Sequence, residues 1–328
     1  MIEDSKMRWR CKICDNDRDN IDYRIPEMMY GTRETFVYTK CGQCGCLQIR
    51  EVPHDLSQYY PADYYSFEMN QRKPLQAIRN IKNCYAVRFA VFGKGFFGRL
   101  CYFSTPYLAS LRMLHFSSLN TNSKILDVGC GAGTMVRLLR LAGFYDTLGI
   151  DPFINADIMD DNGRAMVMKQ SLEKHSGRYN LIMFNHSFEH AESPFACLRE
   201  CGRLLSRGGT IMLRIPVVDS WAWKHYCVHW AQIDAPRHIF LHSRCSIEKL
   251  ANATDFKIKK IVYDSTAFQF WGSEQYAHDI PLKSDKSVAH GIKMSIFKKS
   301  DMRRFHREAR RLNRESLGDQ AAFFLQKA

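Results

Sequence analysis

The sequence predicts an α/β fold: a doubly wound sheet of seven strands, preceded by a small cysteine-bearing module. Three observations predict it. Residues 125–134 (ILDVGCGAGT) run from an aliphatic strand into three glycines at alternate positions, Gly129, Gly131 and Gly133, and then into an apolar amphipathic segment with Met135, Val136, Leu138 and Leu139. That is a strand, a tight turn and a helix start, the opening unit of a nucleotide-binding sheet. Short aliphatic runs then alternate with helical or polar stretches as far as the last residues. Ahead of them lie two C-x-x-C pairs.

The glycines have a physical reason. Glycine tolerates positive φ and lets the backbone approach a ligand where a Cβ would collide. The dinucleotide fingerprint requires a further glycine where this chain has Thr134. Asp127 stands just before the turn, where a carboxylate can approach a cationic ligand or order the loop. Residues 145–151 (YDTLGID) read as a second strand ending in Asp151, an acid suited to the two hydroxyls of a ribose.

These segments resemble the S-adenosylmethionine site of the class I methyltransferases. The resemblance implies a seven-stranded, doubly wound, Rossmann-like sheet whose last strand runs antiparallel. The cofactor set it implies is Asp127, Gly129, Cys130, Gly131, Gly133, Asp151, Pro152, Ser171, Leu172, Asn185 and His186.

The amino-terminal module is expected over residues 1–56. Cys11 and Cys14, then Cys41 and Cys44, can place four thiolates on one structural zinc ion. Residues 15–40 separate the pairs, a longer gap than a zinc ribbon uses, so a hairpin at about 23–25 and 35–38 must fill it. Gly42 and Gly45 permit the turn that aims amides at sulfur, and Cys46 is left out of the ligand set. A redox dithiol or unrelated thiols are the competing readings.

Residues 57–118 read as a linker and helical cap. The tyrosine-dense stretch 58–67 (QYYPADYYSF) suits stacking on a sugar or adenine and equally suits simple packing. Ile78, Ile81, Tyr85 and Phe89 recur at spacings of three and four, as do Leu108, Leu111, Leu114 and His115. These segments are expected to be helices that cap the sheet and cover the cofactor; Phe96 and Phe97 with their flanking cations also admit a peripheral membrane contact.

The sheet domain is expected over 119–328, with insertions at 217–242 and 265–320. Its strands are predicted at 124–128, 147–150, 164–168, 180–184, 210–215, 257–263 and 321–326. The connection 152–163 is polar and weakly periodic, so any helix there is short. A helix opens at Ser193-Pro194, carries Phe195, Leu198 and Leu205 inward, and stops at Gly208-Gly209. Ser243 caps another, with Ile247 and Leu250.

The carboxyl ends of strands four and five are where such a sheet places its ligand crevice. Strand four delivers residues 185–194 (NHSFEHAESP), similar to the family's pattern of an acid and a histidine before a proline-led helix. Methyl transfer from a sulfonium chiefly requires in-line alignment and exclusion of water. A hydroxyl nucleophile must also lose its proton, and a neutral imidazole is a suitable acceptor. His190 is the first candidate base, with Glu189 as an orienting or alternative carboxylate, His186 second, and His238 a rival; a capping or backbone-bonding role for His190 stands beside this reading. In the insertion, Arg237 can grip a phosphate or carboxylate; the alternative is that Arg237 and His238 both bind the backbone of the lid. The pair His225 and His229, four apart, lacks a third metal ligand, and an aromatic lid over the acceptor is preferred.

Across nearly its full length the chain resembles a zinc-binding set of bacterial methyltransferases associated with surface-polysaccharide and sugar-modifying enzymes. Its paired C-x-x-C motifs, YYPADYYSF, LDVGCGAG, the Glu189-His190 pair and APRH at 235–238 carry the resemblance. It implies methyl transfer to a sugar hydroxyl, on a nucleotide- or lipid-linked glycan.

Composition sets outer bounds. A formal net charge of +13 admits nucleic acid, an anionic membrane face or a phosphate-bearing substrate. The densest cations, from Lys298 to Arg311, read as a solvated helix face. An RNA methyltransferase gripping its substrate through zinc is the alternative function; the absence of an Asn-Pro-Pro-Tyr motif after strand four argues against it. A scaffold that has lost activity is a third, opposed by the intact Asp127, glycines and Asp151. The longest uncharged run in the aromatic region, 100–111, is too short to span a bilayer. Residues 1–10 are charged, so no secretory segment is expected. With twelve cysteines, this points to a reducing compartment and a cytoplasmic protein.

Overall fold

The computed structural model describes residues 9–60 and 76–328, leaving aside the side chains of 76–80, 106, 107 and 109. Most of the tyrosine-rich stretch, 61–67, and Ile78's side chain lie outside this description.

In chain order, β1 (Ile21–Pro26) and β2 (Thr35–Lys40) form an antiparallel hairpin, and β3 (Leu47–Ile49) pairs antiparallel with β2. Helices α1 (Gln76–Phe92) and α2 (Phe96–Phe103) and a 3-10 helix at Pro106–Ser117 follow. Then come β4 (Ile125–Val128), α3 (Thr134–Leu141), β5 (Thr147–Ile150), β6 (Ile158–Met159), β7 (Ala165–Met168), β8 (Tyr179–Asn185), α4 (Pro194–Leu204) and β9 (Leu205–Pro216). The remainder is α5 (Trp221–Tyr226), β10 (Phe240–Leu241), α6 (Arg244–Asn252), β11 (Phe256–Tyr263), α7 (Phe268–Ala277), α8 (Lys299–Arg314) and β12 (Gln320–Lys327).

The chain divides into two compact units. The first comprises residues up to Tyr59, Pro216–Asn252 and Ser265–Gln320. The expected insertions at 217–242 and 265–320 therefore fold in one unit with the cysteine-bearing residues, and α6 joins them. Its sheet has the order β1-β2-β3-β10. Buried Trp230 donates its indole N–H to Asp319 Oδ2 at 2.9 Å, and Tyr38 its hydroxyl to His238 O at 2.8 Å, so each large aromatic is packed with its polar atom bonded. Phe270 stacks on Phe305 of α8 at 5.3 Å, and the arginines of α8 point outward.

The second unit holds Tyr60–Ile215, Ala253–Asp264 and Ala321–Ala328. Its sheet is eight-stranded, in the order β11-β12-β9-β8-β4-β5-β7-β6, with β12 antiparallel to β11 and β9-β8-β4-β5-β7 parallel. The expected seven strands are present and β6 is an eighth. It pairs antiparallel with β7 through a turn in which Asp160 Oδ1 accepts the amides of Asn162 and Arg164 and Gly163 takes a φ of 72°. The connection therefore contains a strand, and its Asp-Asp-Asn-Gly run is a hairpin signal.

Two further expectations change. Helix α4 ends at Leu204, before Gly208-Gly209, because Leu205 pairs with Tyr179 and enters β9; Arg178 donates to Arg203 O at 2.7 Å across that end. The two glycines lie in the register shift between Leu205 and Thr210. On α1 the buried face is Ala86, Val87, Ala90 and Val91, while Ile81 and Tyr85 are exposed. The segment 106–117 is a 3-10 helix, in which the strict three-residue spacing of Leu108, Leu111 and Leu114 lies along one edge, fully buried. With α1 it covers Ile125, Leu181, Met183, Met212 and Phe324 of the sheet. Among the described residues no helix is long and apolar enough to cross a membrane.

Candidate active site

The strand order reverses at β4, which has β5 on one side and β8 on the other, and the segments leaving β4, β5 and β8 build one edge. Gly129, Gly131 and Gly133 all take positive φ, 69°, 52° and 75°. A Cβ on Gly129 would lie 2.5 Å from Ser187 Cβ, and one on Gly133 2.5 Å from Val167 Cγ2. Both conformation and space therefore demand glycine. Ser187 donates to Val128 O at 2.6 Å and so ties the loop after β8 to the end of β4. Gly149 in β5 is a glycine for space alone, since its Cβ would collide with Cys130 Sγ.

Asp151 follows β5 and orders the turn. Its Oδ2 accepts the Gly131 amide and its Oδ1 that of Phe153, each at 2.9 Å. Asp127 is buried and accepts from Asn185 Nδ2 at 3.4 Å. Burial raises its carboxyl to about 7, the Asn185 bond partly opposing this and nearby Asp151 adding to it. Cys130 has its thiol pushed up by burial and by the same two acids. Pro152 is exposed beyond Asp151; Ser171 is half-buried and Leu172 buried after β7.

His186, directly after β8, also has a positive φ, 53°. Its amide donates to Arg214 O of β9 at 2.9 Å, and that bond holds the strained backbone in place. The His186 ring Nδ1 lies 3.5 Å from Oε1 of Glu189, which is fully buried. His190 is half-buried, with its Nδ1 3.2 Å from the Tyr60 hydroxyl. Asp127, Asp151, Asn185, His186, Glu189 and His190 are thus gathered on the second unit. The expectations from sequence omitted Ser187, Gly149 and the Tyr60 bond to His190. Ser187 stood inside the segment already singled out, and Tyr60 inside the tyrosine run, but only folding reveals their partners.

His238 and Arg237 belong to the first unit. His238 Nδ1 lies 2.9 Å from Gln232 O, and its Nε2 3.9 Å from Asp234 Oδ2. Arg237 is fully buried, not poised for a ligand's phosphate or carboxylate. It donates to Glu27 Oε1 at 2.8 Å, to Asp234 Oδ1 at 2.7 and 3.0 Å, and to Tyr59 O at 3.2 Å. Burial opposes its charge, and Asp234 and Glu27 outweigh burial and hold its pKa above the ordinary value. The His225 and His229 pair is split where α5 ends at Tyr226, and His225 stacks on Trp221 at 4.4 Å.

The four cysteines converge in the first unit. Cys11, Cys14, Cys41 and Cys44 have their sulfurs within 4.8 Å of one another, with Cys11–Cys44 at 3.6 Å and Cys14–Cys41 at 3.5 Å. A tetrahedron of Zn–S bonds of about 2.3 Å has edges of about 3.8 Å, so the donor set fits zinc. Amides of Ile13 and Cys44 and the Gln48 side chain point at these sulfurs. The Cys44 contact draws the Cys11 thiol down, against burial and with the help of the Ile13 and Gln48 donors. Cys46 lies outside the cluster, 3.9 Å from His242 Nδ1.

Two outcomes follow from these charges. Arg237→Met leaves the buried Glu27 and the half-buried Asp234 without their cation, and chemical denaturation should show a loss of about 3–5 kcal/mol. Asp127 has a raised folded pKa, so its contribution to stability falls as pH rises from about 4 to about 7. The melting temperature of Asp127→Asn relative to wild type should therefore rise between about pH 5 and about pH 8; a pH-independent difference would contradict the buried acid.

A family model described as a methyltransferase domain matches residues 103–261. A ubiquinone biosynthesis O-methyltransferase of Escherichia fergusonii is 27% identical over 97 residues, 27% of this chain and 40% of that protein. Its counterpart in Escherichia coli strain K12 / DH10B matches to the same extent. The chain thus spans about two fifths of the length of these curated relatives. Among solved structures, the O-methyltransferase from a trans-AT PKS multienzyme of Brevibacillus brevis, in complex with S-adenosyl-L-homocysteine, is 17% identical. It covers 66% of this chain and 71% of its own, with a TM-score of 0.39. A SAM-dependent methyltransferase from Archaeoglobus fulgidus is 17% identical, covering 69% of this chain and 94% of its own at a TM-score of 0.40. Over residues 103–261, then, the chain matches a methyltransferase domain.

Proposed function

We propose that the protein transfers a methyl group from S-adenosylmethionine to a hydroxyl of a sugar, on a nucleotide- or lipid-linked glycan, and that zinc on Cys11, Cys14, Cys41 and Cys44 stabilises the first unit. The observation that carries methyl transfer is the glycine turn clamped by Asp151 beside the buried Asp127. Three carboxylates, Asp127, Asp151 and Glu189, are buried along this edge. A ligand bearing positive charge relieves the penalty that raises Asp127. Asp151 keeps lone pairs for ribose hydroxyls while holding the Gly131 amide. Cys130, Pro152, Ser171, Leu172, Asn185 and His186 complete the proposed cofactor set.

S-adenosylmethionine supplies a methyl already activated on a sulfonium. The chain must then align the acceptor oxygen in line with the sulfur–carbon bond and receive its proton. His190 is the proposed base. As the oxygen–carbon bond forms and the sulfur–carbon bond breaks, its imidazole takes the hydroxyl proton and later releases it to water. Glu189 and His186, 3.5 Å apart, form the alternative pair. Oxygen as the acceptor atom is supported by the ubiquinone biosynthesis O-methyltransferases among the relatives. The sugar is supported by the resemblance carried by the YYPADYYSF and APRH segments.

Calorimetry should show S-adenosylmethionine binding that Gly129→Ala abolishes and Asp151→Asn weakens about tenfold or more, as loss of about 1.4 kcal/mol requires. With labelled donor and a panel of nucleotide sugars and glycolipids, His190→Gln should lower kcat about 100-fold or more with donor affinity retained. Donor binding without methylation of any sugar overturns the acceptor and leaves the cofactor site standing; absence of donor binding overturns both. Zinc is tested separately. Metal analysis should find one ion per chain, lost in Cys14→Ser, and a chelator should lower the melting temperature. A metal-free protein indifferent to chelator would refute it.

A further inference from the structure

Helix α2 packs against α1, with the Phe89 and Tyr102 rings 5.6 Å apart, and most closely at Gly98. Gly98 is buried, and a Cβ there would lie 2.8 Å from Tyr85 O and 2.9 Å from Phe89 Cβ. That close approach decides which side of α2 faces outward. Phe96, Phe97, Leu100 and Phe103, at i, i+1, i+4 and i+7, share that side and are 73%, 72%, 55% and 67% exposed. Isolated surface apolar residues need no explanation, but four contiguous ones on eight residues mark an interaction face. Exposed Lys94 and Arg99 flank it, the Arg99 guanidinium lying 5.8 Å over the Phe103 ring.

Along this stretch of chain the charge has one sign, and Asp264, which lies near Gly93, is paired with Arg214. Between Glu68 and Asp127 the sequence contains no acidic residue, and its lysines and arginines are spread through that whole interval. A second copy of the same face would bring like charges together, whereas anionic headgroups complement them and acyl chains receive the rings. We propose that α2 docks this protein on an anionic lipid surface, with Phe96, Phe97, Leu100 and Phe103 at the headgroup boundary and Lys94 and Arg99 among the headgroups. This rests on the shape and charge of α2 and is independent of the methyl-transfer reading.

Vesicle flotation with the full chain tests it, using phosphatidylcholine vesicles with and without about one third phosphatidylglycerol. Retention should be about tenfold or more stronger on the anionic vesicles and should weaken with salt. The double variant Phe96→Ser, Phe97→Ser should lose about tenfold or more with its melting temperature unchanged, because both rings are exposed. Lys94→Glu with Arg99→Glu should remove the preference for anionic lipid. Lack of retention on anionic vesicles, or equal retention of the apolar double variant, overturns the proposal. So does light scattering that finds a dimer which the same double variant dissociates, since the face would then be covered by a second copy.

Discussion

The packing of a tight glycine turn between two strand ends is the constraint on which the candidate site depends. Gly129 is pressed against Ser187 and Gly133 against Val167, and all three glycines of the turn stand in a region of φ that other residues resist. The turn is rigid because its neighbours over-determine it. Asp151 holds the Gly131 amide, Ile150 O accepts the Gly129 amide at 2.8 Å, and Ser187 grips Val128 O. Backbone that would otherwise carry strain is thereby fixed at the edge where the sheet order reverses.

Charge is distributed unevenly in this molecule. The chain is strongly basic, yet the edge of the sheet gathers buried acids, and Asp127 shows the consequence in its raised carboxyl. Elsewhere cations are set outward, on α8 and around α2. In the proposed reading the outward cations attract anionic partners at long range and the buried acids hold a cationic ligand at short range.

The first unit solves a different problem. It is assembled from three separate stretches of chain, so its order depends on contacts far apart in sequence. Arg237 supplies one such centre, joining Glu27, Asp234 and the Tyr59 carbonyl. The four cysteines supply another, with Gln48 reaching the Cys11 sulfur at 2.9 Å. Removing either partner of a buried ion pair is far more damaging than never having built it, which makes Arg237 a structural residue here.

Local signals in the chain were sufficient for seven of the eight strands of the large sheet, the glycine turn, the acid after β5 and the convergence of the cysteine pairs. Each follows from periodicity, backbone freedom or ligand spacing, which neighbouring residues settle among themselves. They were insufficient where a distant partner decides. The arginine that reads as a ligand clamp is held by Glu27, 210 residues away in the chain. α1 turns Ile81 and Tyr85 outward because small residues, Ala86 and Ala90, allow its other face closer to the sheet. α4 stops at Leu204 because β8 recruits the next residue. Sequence alone determined most of the elements and which residues stand at the strand ends; tertiary structure decided which faces and charges are hidden, because burial depends on what packs from elsewhere in the chain.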